Sequence, residues 1–278
     1  MESVHPATGH AGAHIAMSRV ILDVGKFLIA IALLLFLIVK GTTTLGYHWQ
    51  WYRVPRYLFS ITDGGFVVGP LLQGLMVTFR ITVVSMVLAF AFGLVAVLMR
   101  LSRSFSAHAV SRTYLELIRN TPLLIQLFFL YFVISPIVGI GAYASAVLAL
   151  SLFEGAYMSE IFRAGILAVP KGQWEAGKSS GLNIYELYRL VILPQAIRNI
   201  LPPLTSQAIS LIKDSALVST IAIYDLTMEG QAIVAETFLV FEIWFTVAAI
   251  YLAITISLSV LVNVMEKHLK RVPVMGVN

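Results

Sequence analysis

The sequence predicts an all-α fold, a polytopic membrane helical bundle of about six transmembrane helices with two short cytoplasmic helices. Three observations predict it. Hydrophobic residues make up 59% of the 278 positions and charged residues 12%, where a soluble domain has about 45–50% and about 25%. The apolar residues gather in runs of about 20, the length that carries a helix across about 30 Å of hydrocarbon. The runs are continuously apolar, without the period-two alternation of barrel strands. A mean hydropathy of +0.88 and a net charge of only +5 argue against a soluble enzyme, a disordered tail and a nucleic-acid binder. With no cysteine there is no disulfide scaffold, thiolate metal site or Cys nucleophile.

The first span is Val20–Lys40, ending at Lys40-Gly41-Thr42-Thr43-Thr44. No small-x-small cleavage site follows it, so it is expected to be a retained anchor rather than a signal peptide. Asp23 and Lys26, three apart near its start, suit an interfacial ion pair. The second span is Leu71–Met99, the third Tyr114–Ile134, the fourth Tyr143–Val169, the fifth Pro202–Ile223 and the sixth Leu239–Val264. Lys and Arg gather at one side: Arg19, the 100–119 and 163–200 connections, and the C-terminus. The positive-inside rule makes that side cytoplasmic, with both termini on it. The opposite loop, 41–70, is rich in Tyr and Trp and reads as an interfacial aromatic belt, or as a lid or partner contact.

The longest cytoplasmic stretch, 170–201, is too polar to span. Gln173–Ser180 reads as a short helix, Gly181-Leu182-Asn183 as a break, and Ile184–Leu193 as a second short helix ended by Pro194. Two short helices meeting at a glycine make a compact handle for a soluble partner. Within it, Gly172 to Ser179 matches the P-loop pattern G-x-x-x-x-G-K-[ST]. A working P-loop follows a buried strand in an α/β domain. Here a membrane helix and Pro170 precede it, so no nucleotide site is expected.

This loop resembles the EAA signature of the permease subunits of bacterial ABC importers. The matching residues are Glu175-Ala176-Gly177, then Gly181, then Val191-Ile192-Leu193-Pro194. Gly177 stands where the signature has a second Ala, which is expected only to weaken the first short helix slightly, and Val191 stands where it has Ile. Further segments resemble the polar amino acid uptake branch of that family. They are Glu116 to Gln126 (ELIRNTPLLIQ), Glu154 to Ile166 (EGAYMSEIFRAGI), Pro170 to Ala176, Ile192 to Ala196 (ILPQA) and Lys213 to Leu217 (KDSAL). The likeness covers about 70–270. It implies two domains, residues 1–70 as an N-terminal segment with an extra transmembrane helix and outer loop, and 71–270 as the permease transmembrane domain.

The resemblance also implies partners: a second permease, identical or homologous, two cytoplasmic ABC ATPase subunits, an extracytoplasmic substrate-binding protein, an amino acid substrate and membrane lipid, in a bacterial inner membrane. ATP and Mg belong to the partner ATPase. This chain is then expected to bind no cofactor, metal or nucleic acid and to have no catalytic residues. The alternative is a stand-alone secondary transporter or channel driven through intramembrane charges.

The candidate residues divide by place. Glu175, Ala176, Gly177, Gly181, Leu193 and Pro194 form the expected ATPase-coupling element, with Glu175 pairing a basic group on the ATPase and Gly181 as the pivot. Glu154 lies mid-span, where a charge costs at least about 2.5–3.5 kcal/mol. It is a candidate for the substrate's cation, or else a structural partner of Lys213 or a protonated, hydrogen-bonded acid. Ser151, Gly155 and Met158 share its face, with Ser151 and Gly155 small enough to leave room for a ligand. Asn120-Thr121-Pro122 interrupts the third span, which brings Thr121 and Gln126 either toward the translocation path or into helix–helix hydrogen bonds. Glu160 is expected to pair with Arg163, and Glu116 with Arg119, in both cases at i,i+3. Lys213 and Asp214 point about 100° apart on a helix and read as gating or network residues. His5, His10 and His14 show no metal-ligating pattern.

Overall fold

The computed structural model describes residues 9–271 apart from 45, 63 and 64. His5 lies outside the described residues. By contacts the chain divides into two units, one up to Gln50 and one from Trp51. In the first, α1 (Gly9–Thr44) is a single helix whose side chains from Leu22 onward are mostly exposed. Lys26 Nζ lies 3.3 Å from Asp23. Near its end the Thr43 and Thr44 hydroxyls donate back to the Lys40 carbonyl, hydrogen bonds within the last turn that Thr side chains can make.

The second unit begins with α2 (Pro55–Leu58) and a hairpin absent from the all-α expectation, β1 (Phe59–Thr62) against β2 (Gly65–Val68). The register pairs Phe59 with Val68, and the Phe59 and Phe66 rings stack at 6.0 Å. Then α3 (Pro70–Leu101), α4 (Phe105–Arg119), α5 (Leu123–Phe128) with α6 (Ser135–Val138), and α7 (Ala142–Leu167) form the first part of the bundle. α8 (Lys171–Ser179) and α9 (Ile184–Glu186) precede α10 (Leu193–Asp214), α11 (Leu226–Thr237) and α12 (Val240–Arg271).

Four helices have the length and composition to cross a membrane, at Leu22–Gly41, Pro70–Leu101, Ala142–Leu167 and Val240–Met265. α4 and the Leu123–Val138 stretch qualify only jointly, and they are bent by 107° at Asn120–Pro122. The expected third span is therefore a broken one. The expected fifth span is α10 running into a 3-10 turn, Ser215–Ile221, and it is not among the qualifying helices.

The sequence predicted that Pro194 ends a helix, and it does not. α9 passes through a π turn, Leu187–Ile192, straight into α10. Phe129–Ile134 does the same between α5 and α6, two positions before Pro136. Proline has no N–H and its ring collides with the carbonyl four residues back. In both places the ladder has already widened, with Leu193 N donating to Tyr188 O and Ser135 N to Leu130 O. An i→i−5 register moves the colliding carbonyl aside, and the helix continues.

The core is the seam between α3 and α7. A Cβ on Gly93 would come within 2.9 Å of the Gly155 carbonyl oxygen, and one on Gly155 within 2.9 Å of Phe92 Cβ and 3.1 Å of the Ala89 carbonyl oxygen. Ser85, Ala89, Ala146, Ala149, Ser151 and Ala156 line the same seam, all fully buried. Within lipid, small residues that admit close backbone approach are what hold helices together. Asp225 begins α11 by accepting from Met228 N at 2.9 Å, and the Thr78 hydroxyl accepts from Leu226 N, which ties α11 to α3.

Candidate functional site: a coupling knob and an intramembrane carboxylate

The 170–201 stretch folds as a knob. α8 ends in a Schellman turn. Gly181 N donates to Lys178 O and Leu182 N to Gly177 O, and Gly181 takes φ +78, which costs a residue with a Cβ but not glycine. Asn183 then opens α9 with a reciprocal capping box, Asn183 Oδ1 accepting from Glu186 N and Glu186 Oε2 from Asn183 N. The two arms clasp through Trp174 edge-on to Tyr188, centroids 5.3 Å apart. Gln195 Nε2 donates to Gln173 Oε1 at 3.2 Å. Leu187, Ile192 and Ala196 pack beneath on Ile166 and Val169 from the end of α7.

Gly177 is not a mild loss of helix propensity. It is buried, and a Cβ there runs into Leu187 Cδ1. Gly177→Val is expected to destabilise the protein by about 1–3 kcal/mol, the usual cost of overpacking. Thermal unfolding in detergent measures it, and an unchanged midpoint would refute the clasp.

Glu175 and Ala176 are exposed on α8, as are Ile184 (64%) and Tyr185 (66%) on the other arm. Leu193 and Pro194 lead into α10 and are exposed as well. Gly172 to Ser179, the P-loop match, lies wholly within α8. It forms a helix rather than a phosphate-cradling loop, and the only strands among the described residues are β1 and β2.

Glu154, near the middle of α7, is fully buried. Its Oε2 accepts from Gln207 Nε2 of α10 at 2.5 Å, and its Oε1 has no hydrogen-bond partner. The Asp214 carboxyl is within interaction range. Lys213 makes no ion pair with it; its side chain is exposed. The room expected beside Ser151 and Gly155 is taken up by α3. Ser151 Oγ donates to Val147 O at 2.5 Å and lies 3.3 Å from Ser85 O. Met158 packs with Ala89, Val97 and Phe162.

Thr121 and Gln126 meet at the bend. Gln126 Nε2 donates to Ile118 O, Thr121 O and Thr121 Oγ1, at 2.8, 3.0 and 2.8 Å. One amide thus serves the carbonyls that the Pro122 break frees, while Gln126 Oε1 is buried without a partner.

Glu160 pairs with Arg163 at 3.0 Å, as expected, and also with Arg100 and Arg119. Arg119 therefore reaches across to α7 rather than to Glu116. Glu116 instead accepts from Asn120 Nδ2 at 3.0 Å.

Sequence reasoning missed Gln207, Arg100 and the capping box. Gln207 is one amide in an otherwise ordinary helix, with no local signal. The Asn183-x-x-Glu186 spacing is a readable N-terminal signature. Arg80 was also passed over; it lies inside α3, exposed.

Residues 91–271 match the family model for the binding-protein-dependent transport system inner membrane component. The chain is 37% identical over 203 residues to the glutamine transport system permease protein GlnP of Escherichia coli (strain K12), covering 72% of this chain and 93% of that one. It is 38% identical over 230 residues to the L-cystine transport system permease protein TcyB of Bacillus subtilis (strain 168), covering 82% and 94%. Among solved structures, an amino acid ABC transporter crystallised with histidines is 38% identical, with a TM-score of 0.68 over 72% of this chain and 94% of that one. The MetNI methionine ABC transporter, 21% identical at a TM-score of 0.63, shares the fold. The matched span begins inside α3 and takes in the bent pair, the α3–α7 seam's second helix and the whole knob, so the chain belongs to the family of binding-protein-dependent transport system inner membrane components.

Proposed function

We propose that the chain is the permease of an ATP-driven importer that moves a polar amino acid by alternating access across a bacterial inner membrane, with the 71–270 region as the transporting domain. The relatives named for glutamine and L-cystine transport support the substrate class. The observation that carries the reading is the knob. It is clasped between its two arms, stands on the end of α7, and exposes a carboxylate, Glu175, on one arm and apolar side chains, Ile184 and Tyr185, on the other. That surface suits docking into a groove of a soluble ATPase, two copies serving a permease pair. An extracytoplasmic binding protein delivers the substrate on the opposite side. The Lys/Arg distribution supports knob and termini on the cytoplasmic side.

For the substrate, the reading places its cation against Glu154, whose free Oε1 is an acceptor in search of a donor. Gln207 and Asp214 complete that polar set, while Ser151 and Met158 hold the helix behind it. Thr121 and Gln126 brace the broken span at its bend, and the Glu160–Arg163 pair and, separately, Lys213 and Asp214 serve as structural or gating groups as the path opens. A midplane carboxylate favours cationic or zwitterionic amino acids over dicarboxylic ones.

Co-purification tests the docking. The full-length chain is expected to hold its ATPase in detergent, and recovery of the chain without any ATPase under all nucleotide conditions would contradict the proposal. Nucleotide belongs to that partner, with ATP and Mg bound there. Lys178→Ala is therefore expected to leave ATP affinity of the complex unchanged, read by nucleotide titration. ATP binding by the permease alone that this substitution removes would restore the P-loop.

A further inference from the structure

At the Lys/Arg-rich end of the bundle a cavity of about 410 Å³ opens between α3, α4 and α7. Arg100, Arg112, Arg119 and His108 line it, against Glu116 and Glu160. Glu160 is shared among Arg100, Arg119 and, outside the lining, Arg163, so three guanidinium groups and two carboxylates face the cavity. Arg112 has no ion pair or hydrogen bond among the described residues, and Arg119 is 44% exposed with its guanidinium over the Tyr157 ring. His108 Nδ1 is held by the Arg100 carbonyl at 3.2 Å. A carbonyl only accepts, so Nδ1 carries the proton and the Nε2 edge is left unengaged by it.

The cavity is built on a fixed frame. Ser111 Oγ of α4 donates to Ala96 O of α3, and Tyr114 Oη of α4 donates to Leu152 O of α7. On another face of α4 the surface changes character. Leu117, Ile118, Ile125, Phe129 and Leu130 line an apolar trough, also of about 410 Å³, against Leu152. The basic cavity and the trough share α4 and α7, and the trough spans the 107° bend, with Leu117 and Ile118 before it and Ile125, Phe129 and Leu130 after it. α4 also exposes Phe105 (88%) and Val110 (58%), as a helix resting in a bilayer interface does.

A guanidinium matches phosphate oxygens in pairs, and basic pockets between membrane helices at this depth suit anionic headgroups. We propose that this cavity binds the phosphate of an anionic phospholipid, Arg112 and Arg119 meeting the oxygens and the acyl chains running along the apolar surface that α4 exposes around it. The proposal does not depend on the transport reading, since binding is measured without transport.

The test uses the full-length protein in detergent, with phosphatidylglycerol, phosphatidylcholine and inorganic phosphate as probes, read by native mass spectrometry and by thermal unfolding. The wild type is expected to retain phosphatidylglycerol over phosphatidylcholine. Arg112→Gln breaks no contact in the fold, and is expected to lower phosphatidylglycerol affinity about tenfold while leaving the unfolding midpoint without lipid unchanged. Arg112→Lys should restore part of it. Equal retention of phosphatidylglycerol by wild type and R112Q overturns the proposal. So does phosphate binding that depends on Arg112 with no preference between the two lipids, because the site then takes the free anion.

Discussion

Glu175→Lys is expected to abolish ATP-driven uptake while leaving the permease folded. The side chain is exposed on α8 and makes no ion pair among the described residues, so reversing its charge removes none of the contacts that hold the knob together. The clasp between Trp174 and Tyr188, the Schellman turn at Gly181 and the capping box at Asn183 all stay. What changes is the face offered to the ATPase. Losing one partner of a desolvated interfacial charge pair costs about 2–5 kcal/mol, and a like-charge juxtaposition adds to that. Association should fall by more than tenfold in a pull-down, with an unchanged unfolding midpoint for the permease alone. Normal uptake by the Lys variant would refute the docking role; a lowered midpoint would show instead that Glu175 supports the fold.

Glu154→Gln is the second large expectation. The amide keeps the volume of the acid and can still accept from Gln207 through its oxygen. It loses the charge and replaces one acceptor by a donor, at the oxygen that has no partner within the chain. If that oxygen meets the ammonium or cationic side chain of the substrate, the loss is that of a charge-assisted hydrogen bond. That is about 1.5–3 kcal/mol, or about 10- to 150-fold in affinity at the transmembrane site. Delivery by the binding protein should be unaffected, so capture stays normal while translocation falls. A purely structural Glu154 predicts the reverse pattern, lower thermal stability with unaltered substrate preference in the surviving protein. Measuring both quantities on one variant separates the two.

The fold class, the knob and the family were legible because each rests on local chemistry. Continuous apolar runs mark α1, α3, α7 and α12. Glycine at 181 sits where a left-handed turn closes a helix. The Asn120–Pro122 break came out of proline's missing N–H, although the sequence placed it inside one span rather than at a sharp bend between two helices. What was not legible depends on contacts distant in sequence. Nothing near Glu154 identifies Gln207 or Asp214 as its neighbours, and nothing near Arg119 points to Glu160 over the closer Glu116. Gly177 looked like a weakened helix position because Leu187, the side chain that fills its space, lies across the turn. Pro194 looked like a helix end because the π turn that accommodates it is a property of the whole segment. The β1–β2 hairpin did have a sign, Asp63-Gly64 between two aromatic and β-branched runs, hidden by reading residues 41–70 only for their aromatic content.

The central claim is that this chain transports only as part of an ATP-coupled assembly. The direct measurement is uptake of a labelled polar amino acid into proteoliposomes holding the permease with or without its ATPase and binding protein. The account predicts accumulation only with the full set and ATP, unaffected by collapsing ion gradients. Accumulation by the permease alone, driven by a proton or sodium gradient and indifferent to ATP, would contradict it.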